Sequence, residues 1–108
     1  MSGTFTIFET PVSIPTASNP KTFGSSKLSL HAYVSGTGTY SAKYVVDVSN
    51  FSNPTESQWI LNATDEDEVT NLKQSSGFGY LEQSWVSYRV RVTAITGIAT
   101  FQVYGREQ

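Results

Sequence analysis

The chain has 108 residues, a formal net charge of -2 and no cysteine, which corresponds to one domain without disulfides, thiolate metal ligands or a cysteine nucleophile. Charged residues make up only 15% of the chain, so we expect no basic patch that could neutralise several phosphates and no nucleic-acid partner. The N-terminus lacks a basic region followed by a long apolar stretch, so we expect no signal peptide, no membrane partner and synthesis in the cytoplasm.

The first 26 residues favour a short strand followed by an extended arm. Residues 4–9 are rich in β-branched and aromatic side chains, which is typical of a strand. Residues 10–26 contain three prolines spaced among Ser, Thr and Asn, and proline cannot donate to a strand ladder. We therefore predict that residues 1–26 form an N-terminal strand and an extended or edge-hugging arm, and that residues 27–108 form the main domain.

Alternating polar and apolar residues predict two strands in the next segment. Residues 27–35 and 39–49 both show this period of two. Gly36-Thr37-Gly38 lies between them and favours a turn, so we predict a β-hairpin. Val45 falls on the polar side of the second strand, and we expect it to be exposed. The residues predicted to face inward are Leu28, Leu30, Ala32, Val34, Tyr40, Ala42, Tyr44, Val46 and Val48.

The middle of the chain has weaker patterns. Residues 58–63 predict a short strand anchored by Trp59. Thr64 and the acidic residues 65–68 could begin a single helical turn that includes Val69 and Leu72. A loop or a second short strand is equally compatible with this stretch.

The C-terminal third has the clearest alternation. Residues 85–95 place Val86, Tyr88, Val90, Val92 and Ala94 on one face, and residues 98–104 alternate in the same way. Thr96-Gly97 favours a turn between them, which predicts a second hairpin. Turn-forming residues recur every eight to twelve positions and no long helix is indicated. The pattern therefore predicts an all-β fold, an antiparallel β-sandwich or small barrel of about six to eight strands.

No catalytic or metal-binding set is apparent in the sequence. His31 is the single histidine, and the acidic run from Asp65 matches only the first step of a calcium loop. No two carboxylates are paired by the pattern as a glycosidase would need. We therefore expect no enzymatic activity, no cofactor and no bound metal. Exposed Trp59, Trp85 or Tyr33 could instead stack on sugar rings, although core packing is the commoner role of such aromatics.

Two segments resemble small structural proteins of tailed bacteriophages. VDVSN at residues 46–50, followed by a polar turn and Trp59, is similar to their EVSNDG…W…L segment. WVSYRVRVTAITGIATFQVYG at residues 85–105 is similar to their closing W.YVRVNVTAISG…ATVTVYG segment. Here the longer FSNPTES replaces the expected Asp-Gly turn. The resemblance implies a β-sandwich component of the virion, found in such particles as a head decoration, neck or tail protein.

The resemblance and the arm together suggest a binding role. We expect a decoration or cement protein that bridges capsid subunits, with a tail, neck or fibre-base component and a carbohydrate-binding module as alternatives. Capsid or other virion proteins would be its partners, and a homo-oligomer, either a trimer or a dimer, would suit a repeating shell. The arm could add a strand to a neighbour's sheet edge. Its predicted partner-binding residues are Phe5, Ile7, Phe8, Pro11 and Pro15.

Overall fold

The computed structural model describes residues 4–22, 27–70, 80–82 and 85–107. Within these ranges the chain is built almost entirely from strands of one antiparallel sheet, and its one helical element is a 3-10 turn at Glu56–Gln58. The predicted all-β fold is therefore confirmed. The six strands are β1 (Thr4–Thr6), β2 (Lys21–Thr22), β3 (Lys27–Ser49), β4 (Asp67–Thr70), β5 (Tyr80–Glu82) and β6 (Ser87–Glu107).

Two very long strands form the centre of the sheet. β3 and β6 pair in antiparallel fashion from Leu28 opposite Glu107 to Ser49 opposite Ser87. The two predicted hairpins are therefore wrong, because each half of β3 pairs with β6 and not with the other half of β3. The glycine segments that were predicted to reverse the chain lie opposite each other in this ladder, with Thr37 paired to Ile98.

Both long strands bend together at these glycine segments. β3 has 23 residues and would measure about 75 Å if straight at about 3.3 Å per residue. The longest dimension of the molecule is 40 Å, so the strand cannot be straight. The ladder shifts register between Thr37 and Ser41, and Gly38 and Gly97 have φ values of 75° and 83°, which glycine adopts without the steric cost of a Cβ atom.

The bend folds the sheet over itself into two layers. We define the first layer as residues 27–37 paired with 98–107, and the second layer as residues 41–49 paired with 87–96. The rings of Tyr44 in the second layer and Phe101 in the first lie 5.4 Å apart between their centroids. The two inner faces therefore meet as in a β-sandwich. They pack mainly through Leu30, Ala32, Val34, Ala42, Tyr44, Val46, Val48, Tyr88, Val90, Val92, Phe101 and Val103.

Most residues predicted to face inward are buried in this core. Val86 is an exception, since it precedes β6 and is 38% exposed. Ala94 is another, because a second register shift between Lys43 and Tyr44 changes which residues of β6 face inward. Ile95 lies opposite Ala42 and packs against the core in its place. A one-residue change of register turns a side chain to the other face of the sheet.

The N-terminal segment, residues 4–22, follows the outer edge of β6. β1 pairs with residues 104–106, Val12 bridges Phe101, and β2 pairs with Ser87 and Tyr88. The described part of the predicted arm thus lies along its own sheet and gives two residues, Ile7 and Phe8, to the core. The predicted boundary at residue 26 stays a prediction.

The opposite edge of the sheet belongs to β3. β4 pairs with residues 41–44, β5 pairs with residues 27–29, and Ile60 forms an isolated bridge with Val48. The predicted strand at residues 58–63 is therefore wrong, since this stretch contains the end of the 3-10 turn and that single bridge. Because the described edge strands lie on opposite sides of the β3–β6 pair, the sheet is open and not a closed barrel. Residues 67–70 form β4, so the short strand is confirmed among the alternatives for the stretch after Thr64 and the helical turn is wrong. Leu72 lies outside the described residues.

Candidate partner-binding surfaces

The outer face of the second layer is covered by residues 50–66. The exposed fraction of Val45 is only 1%, so its predicted exposure is wrong. The covering segment is held by hydrogen bonds to the sheet: the Val46 amide donates to Thr64 Oγ1 at 3.2 Å, and Ser49 Oγ donates to the Gln58 carbonyl at 3.0 Å. Polar side chains on the outer face of the second layer alternate with apolar ones, a pattern that predicts exposure to solvent. Several of them are instead buried under residues 50–66, as Asp47 and Arg89 show.

Asp47 is the centre of the covered face, and its exposed fraction is 0%. Its carboxylate accepts hydrogen bonds from Nε of Arg89 and Nε of Arg91, each at 2.9 Å. It also accepts the backbone amide of Asn62 at 3.0 Å, which ties the covering segment to the sheet. A buried charge is tolerated when it is paired and hydrogen-bonded in this way.

Arg89 connects Asp47 to the surface. Its Nη1 and Nη2 donate to the two carboxylate oxygens of Glu56 at 3.1 and 2.8 Å. Its guanidinium carbon lies 4.5 Å from the centre of the Trp59 ring, in a cation–π contact. Because Glu56 and Trp59 belong to the covering segment, Arg89 holds that segment with charge, hydrogen bonds and an aromatic contact at once.

The pKa values of these groups reflect the network. Burial alone would raise the pKa of Asp47, but hydrogen bonds from Arg91, the Asn62 amide and Arg89 together lower it below the ordinary value. The hydrogen bond from Arg89 likewise lowers the pKa of Glu56. The hydrogen bonds that Arg89 donates to Glu56 raise the pKa of Arg89, although burial opposes this shift. All three groups are therefore charged at neutral pH.

The outer face of the first layer, in contrast, is open. Thr6, Tyr104 and His31 lie in one row across β1, β6 and β3, and Thr4 and Arg106 lie in the next row. Directly paired residues share a face of the sheet. We define the open face by its exposed members Thr4, Thr6, His31, Tyr33, Tyr104 and Arg106.

The two tyrosines give the open face an aromatic centre. Tyr33 is 37% exposed and Tyr104 is 38% exposed. Tyr33 pairs with Gln102 and His31 pairs with Tyr104, so the two tyrosines are diagonal neighbours, whose separation across a sheet is about 7–8 Å. They are close enough for one partner to contact both.

The structure divides the five predicted partner-binding residues. Ile7 and Phe8 are buried in the core, and Phe5 is partly buried against it. Pro11 and Pro15 are exposed. In this fold Ile7 and Phe8 could contact a partner only if the N-terminal segment left the edge of β6. The prediction that the arm binds a partner stays a prediction.

A shallow cleft of about 240 Å³ lies within the N-terminal segment. Its wall combines apolar side chains such as Ile7 and Val12 with polar ones such as Thr16 and Ser18. Glu9 and Lys21 bring opposite charges to the same cleft. This mixture does not select one class of ligand.

The aromatic residues considered for sugar binding differ in exposure. Trp59 is 8% exposed and its ring contacts Arg89, so a sugar-stacking role for Trp59 is wrong. Trp85 is partly buried against the core. Tyr33 alone of the three lies on the open face.

The described parts of the chain also bear on two other kinds of site, a metal site and a membrane-spanning helix. There, no three His, Asp or Glu side chains come close enough to hold a metal ion. The same residues contain no helix that is long and apolar enough to cross a membrane. His31 lies on the open face, and Glu66 accepts a hydrogen bond from Thr93 Oγ1 at 2.6 Å.

Comparisons with known proteins add a structural relative. No protein-family model matches the chain, and no curated protein matches it by sequence. The fold is similar to that in the crystal structure of the SPBc2 prophage-derived protein YomS, with a TM-score of 0.57 and 14% sequence identity. The similarity covers 99% of this chain and 94% of YomS. At this level of identity the likeness establishes a shared fold along the whole length of both chains.

Proposed function

We propose that this chain is a non-enzymatic structural protein of a phage particle, located in the virion, and that it decorates the capsid by bridging capsid subunits. The observation that carries the proposal is the full-length similarity in fold to a prophage-derived protein. The resemblance of residues 46–59 and 85–105 to tailed-phage structural proteins supports it independently, because it comes from residue patterns and not from the fold.

The edges of the sheet favour binding through a face of the sheet over pairing with a strand of another chain. Pro11, Pro15 and Pro20 interrupt the segment that covers the edge of β6, and proline cannot extend a ladder to another chain. On the opposite edge, β4 is only four residues long and begins with two acidic residues, Asp67 and Glu68. Short, charged edge strands resist edge-to-edge aggregation, which a protein displayed in many copies needs.

The exposed surface suits attachment to a repeating lattice. The chain is rich in Ser and Thr and has a net charge of only -2, so neighbouring copies would repel each other weakly. Many weak contacts on a multivalent particle add up to strong retention without a large interface for each copy. A small homo-oligomer, a dimer or a trimer, would match the local symmetry of a capsid.

The test is to compare particles from the source phage with and without the gene for this chain. We expect hundreds of copies per particle by quantitative mass spectrometry, and capsids without the protein that rupture at lower temperature or milder osmotic shock. A count of six or twelve copies would place the protein in the neck or tail and reject the decoration role. Complete absence from purified particles would reject a virion role altogether.

A further inference from the structure

The two layers of the sandwich share the same long strands, yet only one outer face is covered. Residues 50–66 shield the outer face of the second layer through Asp47, Arg89 and Trp59. No described residue shields Tyr33, Tyr104 or Arg106 on the outer face of the first layer, where all three are exposed. The open face therefore presents exposed side chains of β1, β6 and β3 to solvent.

The composition of the open face favours protein recognition. Tyrosine and arginine are enriched among the residues that dominate binding energy at protein interfaces. The threonines of β1 add hydroxyl groups at one side. A sheet face with two neighbouring exposed tyrosines fits the centre of an interface better than a small-molecule pocket, which is concave.

The charge of the open face selects the type of partner. Arg106 is exposed and makes no ion pair with any side chain that the structure describes, and the exposed residues that define this face include no carboxylate. An exposed arginine can form a bidentate pair with a carboxylate on a partner. The complementary surface is therefore acidic.

A second copy of this chain fits the open face poorly. Two-fold pairing would oppose two faces that both carry Arg106, and like charges at an interface are unfavourable. Head-to-tail pairing would need an exposed carboxylate from another surface of the chain, and several of these already have partners, as Glu56 does in Arg89. Glu66 already accepts a hydrogen bond from Thr93, and Glu68 lies opposite Lys43 in the ladder.

We propose that the open face, centred on Tyr33, Tyr104 and Arg106, is the surface through which this chain docks onto an acidic patch of a different virion protein. The identity of that partner as a virion component rests on the proposed function. Tyr33 and Tyr104 supply the packed centre of the contact, and Arg106 supplies the charge pair.

The experiment measures binding of the purified full-length chain to particles that lack it. Tyr33→Thr and Tyr104→Thr keep strand-forming side chains and remove the aromatic rings. We expect each to weaken binding about 30-fold, the loss typical of a hot-spot residue. Arg106→Glu should weaken binding at least as much and remove its sensitivity to salt. Matched controls are Phe51→Thr, an exposed aromatic away from the open face, and Lys43→Glu, an equal charge reversal on the second layer.

A photo-crosslinking residue at position 33 identifies the occupant of the open face. Cross-links to an acidic segment of another particle protein support the proposal, and cross-links to a second copy of this chain overturn it. If the wild type and the open-face variants bind equally well, the open face is not the docking surface but the virion function stands. If the wild type does not bind particles at all, the proposed function itself fails. Thermal unfolding of every variant confirms that it is folded.

Discussion

The side chain of Gln102 acts as a strand partner for the backbone of Phe8. Its Nε2 donates to the Phe8 carbonyl at 2.9 Å, and its Oε1 accepts the Phe8 amide at 3.0 Å. These bonds replace ladder hydrogen bonds at the point where the N-terminal segment leaves the regular pairing of β1 with β6. A side chain thus completes the backbone hydrogen bonding of a buried residue.

We predict that Gln102→Leu destabilises the fold by about 2–4 kcal/mol, because both backbone groups of Phe8 lose a partner in a buried position. Urea denaturation provides the measurement. Thr100→Val changes an exposed residue of the same strand and should have little effect. An unchanged urea midpoint for Gln102→Leu would show that these hydrogen bonds contribute nothing net.

We predict very different losses of stability when each of the two carboxylates in the ionic network is replaced. Asp47→Asn leaves Arg89 and Arg91 without their shared buried counter-charge and should cost about 3–5 kcal/mol. Glu56→Gln removes an exposed partner and should cost much less, because water screens a surface ion pair. Unfolding free energies from urea titrations compare the two variants. Equal losses would contradict the central position assigned to Asp47.

The pH dependence of stability follows from the same two carboxylates. The pKa values of Asp47 and Glu56 are lowered in the folded protein, so the unfolded chain takes up protons first as the pH falls. Stability should be constant above the ordinary carboxyl pKa values of about 4 and should decrease below them. Urea midpoints from pH 7 to pH 2.5 measure this decrease. In the Asp47→Asn variant, the urea midpoint should fall less between pH 7 and pH 2.5 than in the wild type. An equal fall in both proteins would show that other groups cause the loss of stability in acid.

The bend offers a matched pair of glycine substitutions. Gly38 and Gly97 both have positive φ values, so alanine at either position costs about 1–2 kcal/mol of backbone strain. A Cβ atom at Gly97 would also lie 2.6 Å from the carbonyl oxygen of Thr39, whereas a Cβ atom at Gly38 meets no atom within 4 Å. We therefore expect a lower melting temperature for Gly97→Ala than for Gly38→Ala. The reverse order would show that the backbone at Gly97 relaxes freely.

The predicted partner-binding residues divide into a core pair and a surface pair. Phe8→Ala should cost about 3–5 kcal/mol and Ile7→Ala about 2–5 kcal/mol, because both side chains are buried. Pro11→Ala and Pro15→Ala should stay within about 0.5–1 kcal/mol of the wild type. Thermal unfolding measures all four variants. Stable Ile7→Ala and Phe8→Ala proteins would indicate that the N-terminal segment is held loosely.

Hydrophobic alternation predicted most of the core. The period of two assigned residues such as Leu30, Val46, Val90 and Val103 to the inner faces, because alternation depends only on the local geometry of a strand. The pairing of strands was not predictable in this way. A Gly-Thr-Gly segment permits either a reversal or a bend, and the choice depends on which distant strand lies beside it.

The ionic network was also hidden by local patterns. Asp47 and Arg89 alternate with apolar residues as solvent-facing side chains do, so their burial depends on the segment that folds over them. Two signals in the sequence point to that cover: Val45 is apolar on the polar face, and Trp59 follows in a stretch otherwise rich in turn residues. The open face carries no comparable signal, since exposed polar and aromatic residues on a strand are ordinary.

The shared long strands also have a mechanical consequence. Each layer contains one half of β3 and one half of β6, so the covalent backbone crosses from layer to layer twice at the bend. A force that pulls the layers apart must unbend or rupture two continuous strands, whereas in a sandwich of separate sheets it would work only against side-chain packing. If the protein bridges capsid subunits as proposed, this arrangement would keep its two layers from separating under the internal pressure of the shell.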